Sequence, residues 1–272
     1  MRPTVADKRQ TFRELHHTGC FVIPNPWDAG SAAILQSLGF RALASSSADM
    51  AWSQARPDYN VARDDVLAHL TALCAATDIP VNADFENGFA DDPEGVARNV
   101  ALAIDTGVAG LSVEDSSWAP DDPLYDFDLS VARVATARKA IDDSGANVFL
   151  TARSEGFFAS KPDFDDMLAR IKAYADVGAD CLYAPGLREE NQIAAVIEAV
   201  APKPVNVLTF GLSVEILAGL GTRRISVGGQ LARSAYADLH RVAADIAKTG
   251  EFGTIGGGKL NLNKLYEGYR ED

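Results

Sequence analysis

Short apolar runs alternate with amphipathic segments eight times along the 272 residues, and this repeat constrains the fold more than any other feature. We interpret as strands the runs at about 20–24, 41–45, 79–84, 109–114, 147–152, 180–184, 204–208 and 223–227. We interpret as helices the segments at about 28–38, 62–76, 92–106, 129–143, 164–177, 189–200, 212–219 and 231–248. Eight strands that are each followed by a helix predict a (β/α)₈ barrel, an α/β fold.

The ends of the predicted helices support this interpretation. Asp28, Asp92 and Asp163 each stand where a helix N-cap is expected, and Pro93 fits the first helical turn. A doubly wound sheet is the rival fold, but the turn after the first strand reads PNPWDAG and lacks the GxGxxG of a dinucleotide site. No linker-like composition divides the chain. We therefore predict one barrel domain over 1–272, with 249–272 as a C-terminal extension.

The charge and the cysteines exclude several classes of function. The formal net charge of −13 argues against nucleic acid or an anionic membrane as a partner, because both require basic clusters. No apolar run reaches the ~20 residues that span a bilayer. Cys20, Cys74 and Cys181 are few, far apart and odd in number, which favours a reducing compartment and a cytoplasmic location.

Acidic residues gather at the predicted carboxyl ends of strands three and four. Asn82, Asp84 and Glu86 alternate with apolar residues, so all three point to one side, and Glu114 has the matching phase on the next strand. Carboxylates that converge in a buried site require a cation. A hard divalent ion such as Mg²⁺, with Mn²⁺ as the alternative, suits oxygen ligands. Pairing of these acids with Arg153 is the purely structural alternative.

Several motifs in order along the chain resemble the isocitrate lyase/phosphoenolpyruvate mutase superfamily. The metal motif after strand three is similar to Asp84-Phe85-Glu86-Asn87-Gly88, with Glu in its second acidic place. The other matches are the Glu114-Asp115 pair, Ala152-Arg153-Ser154, the strand-seven region with Asn206, and the loop SSSADMAWSQARPD, which contains Ser45, Ser46, Ser47 and Asp58. The resemblance covers most of the chain.

The resemblance implies roles for these residues. Asp84 is expected to hold Mg²⁺ directly, with Glu86 and Glu114 acting directly or through waters. The three residues Ser45, Ser46 and Ser47 are expected to bind the carboxylate of a small 2-oxo acid substrate, and Asn206 is expected to contact that substrate. Arg153 is expected to stabilise charge as a C–C bond breaks and a metal-stabilised pyruvate enolate forms. Asp58 is the candidate general base or orienting group.

Departures from the superfamily pattern narrow the predicted reaction. The segment after Glu114-Asp115 reads SSWAPDDPLYDFD and contains no Cys, Lys or His, unlike the corresponding loop of isocitrate-type lyases and C–P mutases. We therefore predict a C–C lyase of the decarboxylase or retro-aldol type that acts on a 2-oxo or 2-hydroxy carboxylic acid. A C–P bond enzyme and a non-catalytic 2-oxo acid binding protein are the alternatives.

The C-terminal segment predicts self-association. Superfamily members typically exchange their last helices between barrels. Here the glycines at 256–258 offer a hinge, and an apolar stripe follows at Leu260, Leu262, Leu265, Tyr266 and Tyr269. We predict a homodimer or homotetramer with a swapped C-terminal helix.

Overall fold

The eight predicted strands form one parallel sheet that curves into a nearly closed barrel. The computed structural model describes residues 2–253, 255 and 260–267. Neighbouring strands are hydrogen-bonded in the order β1-β8-β7-β6-β5-β4-β3-β2. The Ala44 N–H donates to the Pro24 carbonyl at 3.0 Å and links the two ends of the sheet. The strand bounds are β1 Phe21–Ile23, β2 Leu43–Ala44, β3 Val81–Asp84, β4 Gly110–Glu114, β5 Phe149–Arg153, β6 Cys181–Tyr183, β7 Val205–Leu208 and β8 Arg224–Ser226.

Helices surround this sheet, and eight of those in the described part of the chain correspond to the predicted ones. Their bounds are α2 Ala29–Ser37, α4 Arg63–Ala76, α5 Pro93–Asp105, α6 Phe127–Ser144, α7 Phe164–Asp176, α8 Glu190–Val200, α9 Val214–Gly219 and α10 Gln230–Thr249. Asp28, Asp92 and Asp163 accept N-cap hydrogen bonds as expected. The sequence interpretation missed α1 Val5–Leu15, α3 Ser47–Ser53 and α11 Leu262–Tyr266. The (β/α)₈ prediction is confirmed.

Helix α1 closes the amino-terminal end of the barrel. The Phe12 ring is fully buried and packs edge-on to Phe149 from β5, with ring centroids 5.6 Å apart. The His16 ring stacks on Phe149 at 4.1 Å. Because most of α1 is polar, its few buried residues gave no clear apolar stripe in the sequence. This plug leaves the opposite, carboxyl-terminal end of the barrel as the open one.

Helix α10 leaves the barrel with most of its length exposed. Ala232 is its only buried residue, whereas Leu231 and Leu239 are exposed. The short helix α11 lies against α2, where the Tyr266 hydroxyl donates to the Gly30 carbonyl at 3.2 Å. The glycines at 256–258 and Tyr269, on which the swapping prediction partly depends, lie outside the described residues. No helix among the residues that the structure describes is long and apolar enough to cross a membrane.

Candidate active site

A cavity of about 570 Å³ opens at the carboxyl-terminal end of the barrel. It has the size that small-molecule sites commonly have. Strand ends and the loops that follow them supply its walls, as in other barrels of this type. Of the residues predicted to form the site, those that line the cavity are Ser45, Ser46, Ser47, Asp58, Asp84, Arg153 and Asn206. Glu86 and Glu114 lie behind this surface.

The buried guanidinium of Arg153 is the centre of the site. Its Nη1 lies 3.1 Å from Asp84 Oδ1 and 3.3 Å from Glu114 Oε2, and its Nε donates to Glu155 Oε1. Burial alone would lower the pKa of Arg153, but the surrounding carboxylates, Glu155 foremost, raise it well above its ordinary value. Arg153 is therefore a permanent cation shared among three carboxylates. The structural alternative for these acids, pairing with Arg153, thus occurs, but one cation faces three carboxyl groups.

The turn after β2 fixes the position of Asp84. The Asp84 N–H donates to Ser45 Oγ at 2.8 Å, and the Ser47 N–H donates to Asp84 Oδ2 at 3.1 Å. The Ser45 carbonyl in turn accepts from Asn25 Nδ2 at 3.0 Å. Ser46 caps α3 by accepting from the Asp49 N–H. Ser45 thus fixes the Asp84 backbone, and Ser47 holds the Asp84 carboxylate at the cavity wall.

Two further carboxyl groups lie buried beside this turn. Burial, reinforced by the charge of Asp84, raises the pKa of Glu86 to about 8. Glu86 has a positive φ of 46°, which turns its side chain into a small space behind Ser45, Ser46 and Ser47. Asp49 is fully buried, and neither of its carboxylate oxygens has a hydrogen-bond partner. Burial raises its pKa to about 8. The mouth therefore carries more carboxyl groups than its cations balance.

An aromatic pair covers one side of the cavity. Trp118 Nε1 donates to Glu114 Oε1 at 2.8 Å, and the Trp118 ring lies 3.8 Å from that of Tyr59, centroid to centroid. Tyr59 follows Asp58, whose carboxylate accepts from the Tyr59 N–H at 2.9 Å. Burial raises the pKa of Asp58 above its ordinary value. The predicted base thus stands at the edge of this aromatic cover.

Asn206 lies deeper, with its amide already engaged. Its Oδ1 accepts from Arg224 Nε at 2.9 Å, and its Nδ2 donates to Ser226 Oγ at 3.0 Å. Arg224 also donates to Thr151 Oγ1 at 3.0 Å. Asn206 therefore presents a fixed amide to the cavity, which suits orientation of a bound molecule more than adaptation to it.

Sequence reasoning did not assign several residues at this end of the barrel to the site, although it placed Glu155 at the end of strand five. The residues that it left out of the site are Asp49, Tyr59, Glu155, Tyr183, Arg224 and Arg233. Glu155 could have been included, because it follows Arg153 by two positions and shares its side of the chain. Tyr59 adjoins Asp58. Arg233 could have been found as the basic residue in the first turn of the helix after strand eight.

The carboxylates fit a divalent cation in composition and charge. Glu114 Oε2 and Glu155 Oε2 are buried and form no hydrogen bond. A nearby cation would offset the cost of burying these oxygens. In the part of the chain that the structure describes, no group of three or more His, Cys, Asp or Glu side chains has the arrangement of a metal site. The set Asp84, Glu86 and Glu114 therefore stays a prediction, with Asp84 the one member on the cavity wall.

Comparison with known proteins decides the family. Residues 12–247 match the family model described as phosphoenolpyruvate phosphomutase. The chain belongs to the isocitrate lyase/phosphoenolpyruvate mutase superfamily. Among relatives of this superfamily member, an uncharacterised protein of Mycobacterium tuberculosis is 32% identical over 86% of this chain and 88% of its own. Oxaloacetate decarboxylase from Paraburkholderia xenovorans is 30% identical over 86% of this chain and 80% of its own.

A solved structure extends the superfamily comparison to almost the whole chain. A provisionally named lyase/mutase from Burkholderia cenocepacia has 43% identity and a TM-score of 0.92, and the match covers 96% of each chain. Proteins named as lyases, decarboxylases and mutases all occur among the relatives. Family membership therefore leaves more than one reaction open, and the choice among them depends on the residues of this site.

Proposed function

We propose that the protein is a Mg²⁺-dependent C–C lyase of the decarboxylase or retro-aldol type, acting on a small 2-oxo or 2-hydroxy carboxylic acid. The observation that carries this proposal is the cluster of three carboxylates on one buried guanidinium, Arg153, at the base of an open cavity. The names of relatives that act on oxaloacetate support the same reaction class.

The charge of this cluster favours a second cation. The Asp84, Glu114 and Glu155 carboxylates outnumber Arg153, and burial raises the pKa of Glu114 well above its ordinary value. Asp84 would hold Mg²⁺ or Mn²⁺ at the cavity wall, with Glu86 and Glu114 supporting it directly or through waters. Such an ion, when bound, supplies Lewis-acid stabilisation of negative charge on a substrate oxygen.

The protein's own groups perform the remaining tasks. Arg153 is held in place by Glu155 and can donate to an oxo oxygen on which charge develops as the C–C bond breaks. The turn at Ser45, Ser46 and Ser47 borders the place where the carboxylate beside that oxo group would bind. Asp58 stands at the cavity wall, where it can orient the reacting group or exchange a proton with it. The cover made by Tyr59 and Trp118 limits the access of water.

Calorimetry with Mg²⁺ and oxalate tests the metal and the 2-oxo acid site together. We expect oxalate to bind to the wild-type protein only when Mg²⁺ is present, and Asp84→Asn to remove this binding while the circular dichroism spectrum stays unchanged. Asp105→Asn is the matched control, because Asp105 is an exposed carboxylate at the end of α5. Oxalate binding that is equal with EDTA and with Mg²⁺ would refute the metal assignment.

Turnover assays separate the lyase from its two alternatives. A C–P bond enzyme would cleave phosphonopyruvate faster than any C–C substrate, and a non-catalytic binding protein would bind oxalate without turning over either class. We expect pyruvate release from oxaloacetate or from a 2-hydroxy acid, with phosphonopyruvate a poor substrate. The loop at 116–126 supports this order, because it contains Asp121, Asp122 and Asp126 and no basic residue.

We also propose a homodimer or homotetramer located in the cytoplasm. The exposed apolar residues of α10, Leu231 and Leu239, support self-association, as does the position of that helix away from its own barrel. Light scattering at micromolar concentration is expected to give a multiple of the 29.0 kDa chain mass. Leu239→Glu is expected to lower that mass, and a wild-type monomer would refute the assembly. The three cysteines, all free of disulfides, suit the cytoplasm.

A further inference from the structure

Three arginines line the cavity, and two of them are already engaged. Arg153 is surrounded by carboxylates, and Arg224 is hydrogen-bonded to Asn206 and Thr151. The third, Arg233, lies in the first turn of α10 at the rim. Within the described residues, its guanidinium forms no hydrogen bond and no salt bridge, and more than a third of the residue's surface is exposed. Arg233 is thus the cavity-lining cation that remains open to a ligand.

The surroundings of Arg233 hold it at this rim. Its Cζ lies 4.9 Å from the centroid of the Trp52 ring, a cation–π contact that orients a guanidinium while leaving its N–H groups open. The start of α10 packs tightly against α3. A Cβ at Gly229 would lie 2.8 Å from Asp49 Oδ1 and 2.9 Å from the Trp52 ring. Gln230 adds a hydrogen bond from its Nε2 to the Thr209 carbonyl at 2.8 Å.

The charges around the cavity favour Arg233 as the group that binds a second anionic group of a substrate. A monocarboxylate can be bound by Arg153, the serine turn and the proposed metal. A substrate with a second anionic group brings another negative charge to a mouth that already contains a surplus of carboxylates. The loop at 116–126 offers no basic side chain for that group. Arg233 provides positive charge at the cavity on a different element, the first turn of α10.

We infer that Arg233 is a specificity-determining residue that binds the distal carboxylate of a dicarboxylic 2-oxo or 2-hydroxy acid. This inference rests on the proposed function and narrows its substrate class from small carboxylic acids to dicarboxylates. Arg233 touches the end of the substrate that does not react, so its loss weakens binding of dicarboxylates and leaves the binding of the 2-oxo acid core intact. The Trp52 ring acts as the positioning residue for the guanidinium.

Two Mg²⁺-dependent ligands test the inference by isothermal titration calorimetry. Oxalate is a two-carbon dianion that presents only the core that the metal and the serine turn would bind, whereas 3,3-difluorooxaloacetate adds a carboxylate distal to that core. We expect Arg233→Gln to lower the affinity for 3,3-difluorooxaloacetate by about 10- to 100-fold, which corresponds to the loss of one charge-assisted hydrogen bond. The affinity for oxalate is expected to fall by less than about twofold. Arg233→Lys keeps the charge and is expected to recover part of the lost affinity.

Arg241→Gln is the matched control, because Arg241 lies two turns further along α10, is exposed and pairs with Asp238. It is expected to change neither affinity. Equal weakening of both ligands by Arg233→Gln, or no weakening of either, would overturn the inference. Failure of the proposed function has a different signature, since the wild-type protein would then bind neither ligand in a Mg²⁺-dependent way, and the inference would fall with it.

Discussion

The two ends of the barrel partner their carboxyl groups in opposite ways. At the amino-terminal end, Asp180 accepts from Arg13 Nη1 at 3.1 Å, from Arg138 Nη1 at 2.8 Å and from the Leu150 N–H at 2.8 Å. At the carboxyl-terminal end, Arg153 alone serves three carboxylates. The amino-terminal end has two cations for one carboxylate, and the carboxyl-terminal end has three carboxyl groups for one cation.

This difference shows which end of the barrel is built for stability. The Asp180 ion pairs stay partly exposed and avoid much of the desolvation cost of buried charge, whereas unpartnered buried carboxylates are strongly unfavourable. Asp49 and Glu155 keep buried oxygens without hydrogen bonds, and Glu86 keeps a raised pKa. Such groups collect around functional sites because a ligand or metal can supply the missing partner. In the described part of the chain, the plug formed by α1 has no comparable surplus of carboxyl groups, and it closes the core.

Removal of Asp180 is expected to give the largest effect on stability. Asp180→Ala leaves Arg13, Arg138 and the Leu150 N–H without their shared acceptor, so the free energy of unfolding should fall by about 2–4 kcal/mol. Urea denaturation measures this loss. Asp78→Ala is the control, because the Asp78–Arg2 pair is exposed and should contribute less than about 1 kcal/mol. A loss of the same small size for Asp180→Ala would contradict the interpretation that the ion pairs at the amino-terminal end stabilise the fold.

Asp49 is expected to make the free energy of unfolding depend on pH, and its removal, unlike that of Asp180, is expected to stabilise the protein. Its folded-state pKa of about 8 exceeds the ordinary 3.8, so between these values the folded protein keeps a proton that the unfolded chain has lost. Stability should therefore fall as pH rises through this window, by up to about 1.4 kcal/mol per pH unit for one group, and the fall should end above the folded pKa.

Asp49→Asn removes this group without changing its shape. The variant should gain stability over the wild-type protein as pH rises from 5 to 8, which urea denaturation at each pH would show. Asp105→Asn, which changes an exposed carboxylate, should leave the pH profile unchanged. Parallel profiles of wild-type protein and Asp49→Asn would mean that folding does not raise the pKa of Asp49.

The sequence predicted the barrel well because period-two and helical patterns report burial directly. It also predicted Asp84 and Arg153 at the mouth, since alternation fixes the side of a strand on which a residue lies. It missed α1, whose core contribution depends on Phe12 and Leu15 within a polar helix. It missed Arg233 because the approach of α10 to Trp52 is a long-range packing relation, set by Gly229 rather than by any local period.

The smallest expected effect concerns the loop that borders the acidic mouth. Asp121→Lys adds positive charge to the exposed loop and should improve phosphonopyruvate binding by about two- to fivefold if the loop closes over the cavity, since exposed charges interact weakly. Asp122 is less suited to this test, because it pairs with Lys161 Nζ at 2.5 Å and a lysine there would meet that cation. Competition against oxalate measures the gain, which salt at 0.5 M should abolish by screening.

Asp105→Lys makes the same charge change far from the mouth and should give no gain. An equal gain in both variants would indicate general charge attraction, and no gain in either would mean that the loop stays away from the ligand.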